Sequence, residues 1–166
     1  MTTQHIGAAG EILVQYQLLK LEIDSARLTT DSGVDLVVYS PGDGAATTVQ
    51  VKTVRSPMPS GGSGKAAIGW SFPHDCQADM LAVTSLSTDT VWLFTLAEAR
   101  ELAQQHTTAG ARRLYWYTDE AIAQKNGVPL KQSDMAGYLL SARAPILFRV
   151  NRGREAIRFG AAGANG

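Results

Sequence analysis

GVDLVVYSPGDGAATTVQVK, residues Gly33 to Lys52, is the stretch whose reading decides the fold. Val34 to Tyr39 and Thr48 to Val54 are rich in β-branched residues, and Pro41-Gly42-Asp43-Gly44 lies between them. Proline fixes one backbone angle there and glycine frees others, so the stretch predicts a β-hairpin. Side chains alternate along a strand, so Gln50 and Lys52 project from one face, while Asp35 points away from the direction of Val34 and Leu36. Each polar group interrupts an apolar segment, where an unpaired charge is costly. An acid, an amide and an ammonium on one sheet face suit a divalent cation held by oxygen ligands, with the lysine placed to stabilise phosphate charge. The alternative is a half-exposed edge strand whose polar face is simply solvated.

The 166 residues suit one domain over 1–160 with a disordered Gly-Ala tail at 161–166. Apolar residues make up 45% and charged residues 18%, and no apolar run approaches the ~20 residues that span a bilayer. A non-membrane, cytoplasmic protein is expected. The start MTTQHIGAAGE lacks a secretory pattern, and the lone Cys76 has no internal disulfide partner. His5, His74 and His106 share no zinc-type spacing with it. Positive and negative charges balance at fifteen each, but unevenly. Glu11, Glu22, Asp24, Asp31, Asp35 and Asp43 crowd the first fifty residues, whereas Arg143, Arg149, Arg152, Arg154 and Arg158 crowd the end. An acidic, cation-attracting end and a basic, phosphate-attracting end follow.

Upstream of the hairpin, Ile12, Tyr16, Leu19 and Ile23 fall at spacings of four, three and four and predict a helix over Ala8 to Glu22 with that stripe on the sheet. Glu11 is either a first-turn acid favoured by the helix dipole or a site residue. Asp31 has a sufficient local role in a turn. Downstream, Ser56 to Lys65 reads as a loop; its Gly-Gly-Ser-Gly-Lys run is followed by Ala66, so it is not a phosphate-binding loop. Strands are predicted over Ala67 to Phe72, with Trp70 and Phe72 in the core, and over Met80 to Leu86 and Val91 to Leu96. A short aromatic strand or loop follows at Leu114 to Tyr117. Helices are predicted over Ala97 to Gln105, Asp119 to Lys125 and Met135 to Ser141, and a last strand over Ile146 to Val150.

Taken together, Gly7 to Glu11 on a first helix, Gly33-Val34-Asp35-Leu36-Val37 and Val49-Gln50-Val51-Lys52 resemble the PD-(D/E)XK nuclease superfamily, nearest its Holliday junction resolvase-like and Mrr-like endonuclease branches. The resemblance covers roughly the first 55 residues, more loosely the strands of 79 to 96, and nothing beyond Thr107. It implies an α/β fold with a central mixed β-sheet flanked by helices, a restriction-endonuclease-like αβββαβ core. It also implies a Mg (or Mn)-dependent DNA endonuclease that leaves a 5′-phosphate. Glu11, Asp35, Gln50 and the backbone carbonyl of Val51 would hold the metal, and Lys52 would assist hydrolysis. Gln50 replaces a carboxylate at the second acidic position, keeping the oxygen and losing the charge. Arg149, Arg152, Arg154 and Arg158 would line the DNA, or form a solvated surface strand. By analogy the enzyme would be a homodimer. Rival readings are a catalytically degraded nucleic-acid-binding domain and a partner-binding protein.

Overall fold

The protein is described here by a computed structural model covering residues 1–29, 33–60, 64–122 and 130–148. Helix α1 (Thr3–Leu19) is capped by the Thr2 hydroxyl, which accepts the His5 N–H. It leads into β1 (Ser25–Arg27), β2 (Leu36–Tyr39) and β3 (Ala46–Val54). The chain continues through β4 (Met58–Ser60), β5 (Lys65–Pro73), β6 (Met80–Ser85) and β7 (Thr90–Thr95). Helix α2 (Leu96–Leu102), β8 (Gln105–His106), β9 (Ala111–Tyr117) and β10 (Leu130–Lys131) follow. A 3-10 helix (Gln132–Tyr138) and α3 (Leu140–Leu147) complete the described elements.

The first sheet has the order β1-β2-β3-β6-β7 and is mixed: β3 and β6 run parallel and its other neighbours antiparallel. The β2–β3 hairpin forms as its sequence requires, with Ser40 N–H donating to the Ala45 carbonyl across the turn. Helices flank the sheet, in agreement with the expected architecture. A second sheet, β10-β9-β5-β4 with β8 added to β9, packs beside it. The parallel β3-to-β6 crossover therefore runs through the β4–β5 hairpin, where the αβββαβ order has a helix. No helix among the described residues is long and apolar enough to cross a membrane.

Two apolar clusters lie on opposite faces of the first sheet. Under α1, Val14, Leu18, Leu36, Val38, Val49 and Val51 pack together with Leu140, Ala144 and Phe148. On the other face, Leu81, Val83 and Phe94 meet Ile68, Phe72 and Leu114 of the second sheet. Trp70, Trp92 and Trp116 join the two sheets, with ring centroids 4.7 to 5.8 Å apart. Trp70 and Phe72 thus occupy the core, as their alternation predicts.

Several expectations require correction. Helix α1 begins five residues before Ala8 and ends at Leu19, and its expected buried stripe faces outward: Ile12, Tyr16 and Leu19 are 56 to 58% exposed. Gly10, Val14 and Leu18, spaced four apart, form the face on the sheet, and of the predicted stripe only Ile23 is buried. Backbone proximity decides this choice. A Cβ on Gly10 would lie 1.8 Å from the Thr53 hydroxyl oxygen, so the glycine lets the helix rest directly on β3.

The predicted Met135–Ser141 helix is instead the 3-10 turn followed by α3, which runs through Pro145. The strand predicted from Ile146 is helical as far as Leu147, and residues 149–150 lie outside the described residues. Pro145 removes one helical N–H, but Leu140, Ala144 and Phe148, four apart, are fully buried and hold the helix by packing. Asp119 to Ile122 form a turn in which Asp119 accepts the Ala121 N–H; the remainder of that predicted helix lies outside the described residues.

Two carboxylates fasten the frame. Asp79 accepts both the Thr48 N–H (2.8 Å) and the Thr48 hydroxyl (2.7 Å), clipping the start of β3 to that of β6. These bonds, the hydroxyl's first, hold its carboxyl below the ordinary value of 3.8 against a small opposing effect of burial. Glu98 closes a capping box with Thr95 and accepts Arg143 at 2.5 Å. Burial is the largest single influence and pushes its carboxyl up, but Arg143 and Thr95 together bring it below 4.5.

Candidate active site

Asp35 stands immediately before β2, at the point where the hairpin ladder ends. Leu36 pairs with Val49, so a continued ladder would set Asp35 against Gln50; its N–H instead donates to the Val49 carbonyl at 3.0 Å. That one-residue offset is the kind a bulge introduces, and bulges re-aim side chains. Here the Asp35 carboxylate turns toward the edge of β3, where Oδ2 accepts the Val51 N–H at 2.6 Å. The side chain thereby supplies the bond that the next residue of a longer β2 would have made.

Val49 and Val51 point into the core beneath α1, so alternation sends Gln50 and Lys52 to the opposite face. Gln50 is only 3% exposed, and its Oε1 accepts the buried Cys76 thiol at 3.3 Å. Gly33, at a φ of +76°, supplies the backbone turn that leads into Asp35, and a Cβ there would be 3.9 Å from the Gln50 amide nitrogen. Lys52 is half-buried and makes no hydrogen bond or ion pair among the described residues.

Glu11 is more than two turns inside α1, so the first-turn dipole explanation does not apply. Its partner is Arg27, whose Nε and terminal nitrogen lie 2.8 and 2.6 Å from Oε2. Arg27 pairs in backbone register with Leu36, and the Leu28 N–H donates to the Asp35 carbonyl at 2.9 Å. Contacts thus join Glu11 to Arg27, Leu28 to Asp35, and Asp35 to Val51, with Glu11 on the α1 side of the sheet and Gln50 and Lys52 projecting from the other. Arg149, Arg152, Arg154 and Arg158 lie outside the described residues.

Two neighbours escaped the sequence reading. Arg27 lies in β1, a three-residue strand too short to show a periodic pattern, and only the fold reveals that it meets Glu11. Cys76 lies in a segment with no periodic pattern, twenty-six residues from Gln50, and carries no local signal of that contact.

The donor set fits a hard cation in kind. The Asp35 carboxylate and the Gln50 amide oxygen are oxygen donors, and the Val51 carbonyl, on the same strand edge as its N–H, is another. The described residues contain no group of three His, Cys, Asp or Glu side chains able to hold a metal. A site here would therefore depend on the amide and the carbonyl beside two carboxylates, one of them shared with Arg27.

No protein-family model matches the chain, and no curated protein matches it. Among solved structures it is similar to a bacterial homing endonuclease, I-Ssp6803I, with a TM-score of 0.59 over 89% of this chain and 93% of that one. Sequence identity is 16%, so the likeness is one of fold.

Proposed function

We propose that this chain is a divalent-metal-dependent DNA endonuclease of the PD-(D/E)XK type. The observation that carries the proposal is the Asp35 carboxylate held against Val51, between Gln50 and Lys52, on a fold similar to that of a homing endonuclease. In this reading Asp35, Gln50 and the Val51 carbonyl would hold Mg²⁺ or Mn²⁺, and Glu11 would join them through the carboxylate oxygen that Arg27 leaves unused. When bound, the cation supplies Lewis-acid polarisation of the phosphodiester. Asp35 and Glu11 supply the negative charge that retains it. Lys52 places an ammonium beside the scissile phosphate, orients the attacking water and stabilises charge that develops on phosphate oxygens. Burial of Gln50 excludes bulk water from that side of the strand.

The reading includes a homodimer, in which two sites address the two strands of a duplex. The exposed face of α1 offers a surface for it: Ala8 and Ala9 lie four and three residues before Ile12, and Tyr16 and Leu19 follow it. Two copies crossing antiparallel at Ile12 would set small residues against large ones. Arg149, Arg152, Arg154 and Arg158 remain proposed phosphate contacts.

A second reading, a DNA-binding domain without activity, draws on Gln50: the position lacks a carboxylate and its oxygen is already engaged by Cys76. Incubating the protein with plasmid, linear, single-stranded and four-way-junction DNA in Mg²⁺ or Mn²⁺ separates the two. Cleavage that EDTA abolishes supports the nuclease; salt-sensitive binding with no cleavage supports the second reading.

A further inference from the structure

Beyond Lys52, the strand that carries the site runs into a cleft of about 510 Å³ bounded by the start of α1, the end of β3 and the second sheet. Its walls include Ile6 of α1, Thr53 and Arg55 at the end of β3, Met58 of β4, Gly69 of β5 and Arg113 of β9. Neither Arg55 nor Arg113 has a side-chain hydrogen bond or a carboxylate partner among the described residues. Two guanidinium groups facing one cleft without counter-charge call for an anionic occupant.

The outward face of β9 extends that wall. Leu114 and Trp116 are fully buried, so Arg113, Tyr115 and Tyr117 alternate onto the other face. The Arg113 guanidinium lies 5.9 Å from the Tyr115 ring centroid, and Tyr115 and Tyr117 meet edge to face at 6.3 Å. Gly69, paired with Tyr115, makes room for them: a Cβ there would lie 2.7 Å from the Tyr115 Cβ and 3.4 Å from the Arg113 Nε. The Gln104 side chain binds Tyr115 at both its N–H (3.0 Å) and its carbonyl (2.7 Å), fixing the backbone that presents the ring. Arginines with no carboxylate partner among the described residues, beside half-buried tyrosines on the outward face of the sheet, match the needs of a flexible polyanion with stackable bases.

We infer that this face, with the cleft at its edge, binds a single DNA strand leaving the Asp35–Lys52 site, Arg55 and Arg113 holding phosphates and Tyr115 and Tyr117 stacking bases. The inference rests on the nuclease reading of that site. Nothing in the arrangement reads base edges, so binding is independent of sequence.

Fluorescence anisotropy with a labelled single strand, in Ca²⁺ so that cutting does not intervene, tests the surface with the full chain. Arg55→Ala and Arg113→Ala should each weaken binding and lower the log–log salt slope by about 0.7. Tyr115→Leu should weaken it about tenfold with the slope unchanged, while Tyr115→Phe, which keeps the ring, should bind like wild type. Circular dichroism checks that each variant is folded. Wild-type affinity in folded Arg113→Ala and Tyr115→Leu, losses confined to duplex, or no binding of single strands by the wild type would each overturn the inference. Unchanged binding by these variants in a protein that cuts DNA leaves the nuclease intact and removes only the surface. Binding that needs these residues, in a protein that never cuts with Mg²⁺ or Mn²⁺, keeps the surface and removes the nuclease.

Discussion

The amide oxygen of Gln50 accepts a hydrogen bond from the thiol of Cys76 at 3.3 Å, and both residues are buried. A carboxylate in the same place would be desolvated beside a weak donor. Gln50→Glu should therefore destabilise the metal-free protein by ~1–3 kcal/mol. In a chain of this size that is a fall in Tm of several degrees, about 2–4 °C per kcal/mol. Mg²⁺ should restore more stability to Gln50→Glu than to wild type, because the added charge binds the cation in the folded state alone. Thermal unfolding with and without Mg²⁺ measures both effects; equal metal-induced shifts in the two proteins would remove Gln50 from the metal site.

Arg27 neutralises Glu11, yet its side chain is 40% exposed, so the pair contributes only about 0–1 kcal/mol to stability. Arg27→Gln should leave Tm nearly unchanged while freeing the Glu11 carboxylate. If Glu11 serves the cation, the Mn²⁺ concentration giving half-maximal cutting should fall. A rise, or no change, would assign Glu11 to the α1–β1 contact alone.

Helix α1 rests on β3 through Gly10. Gly10→Ala brings a methyl group to 1.8 Å from the Thr53 hydroxyl oxygen and 2.8 Å from its Cβ. Overpacking of this kind costs about 1–3 kcal/mol, and Thr53→Ala in the same chain should recover part of it. Urea unfolding of the two single variants and the double variant reads the coupling; strict additivity would contradict the close approach.

Acid should loosen the frame through Asp79 and Glu98. Both have carboxyls lowered in the folded state, so the unfolded chain binds protons more readily in that range. Their contribution is complete above the ordinary values of 3.8 and 4.5 and is lost as pH falls through the lowered ones. Asp79→Ala should lower stability near neutrality by ~1 kcal/mol and flatten the acid limb of a stability–pH curve. An unchanged limb would show that the Thr48 clip adds nothing to folding.

The hairpin was legible because turn residues and β-branched runs are local signals, and the buried runs over β6 and β7 were legible for the same reason. The face of α1 was not. Its 3.6-residue pattern offers two apolar stripes, and the choice between Ile12–Tyr16–Leu19 and Gly10–Val14–Leu18 depends on how closely the backbone approaches β3. Helix α3 was missed because Pro145 argues locally against helix, whereas Leu140, Ala144 and Phe148 bury themselves only in the folded sheet. At the candidate site, the polar interruptions by Asp35, Gln50 and Lys52 were visible in the sequence. Arg27 and Cys76 were not, since each reaches its partner through strand pairing and packing between distant segments.

The central claim is that the Asp35 carboxylate serves a cation as well as Val51. Asp35→Asn keeps an oxygen to accept the Val51 N–H and removes the charge, so it separates these roles where alanine would remove both. Cleavage of plasmid DNA in Mg²⁺ or Mn²⁺, compared among wild type, Asp35→Asn and Lys52→Ala, is the most direct measurement. Cutting by wild type that is lost in both folded variants, with DNA binding in Ca²⁺ retained by Lys52→Ala, is the predicted result. Wild-type protein that binds DNA and never cuts it, or an Asp35→Asn variant that cuts at the wild-type rate, would contradict the account.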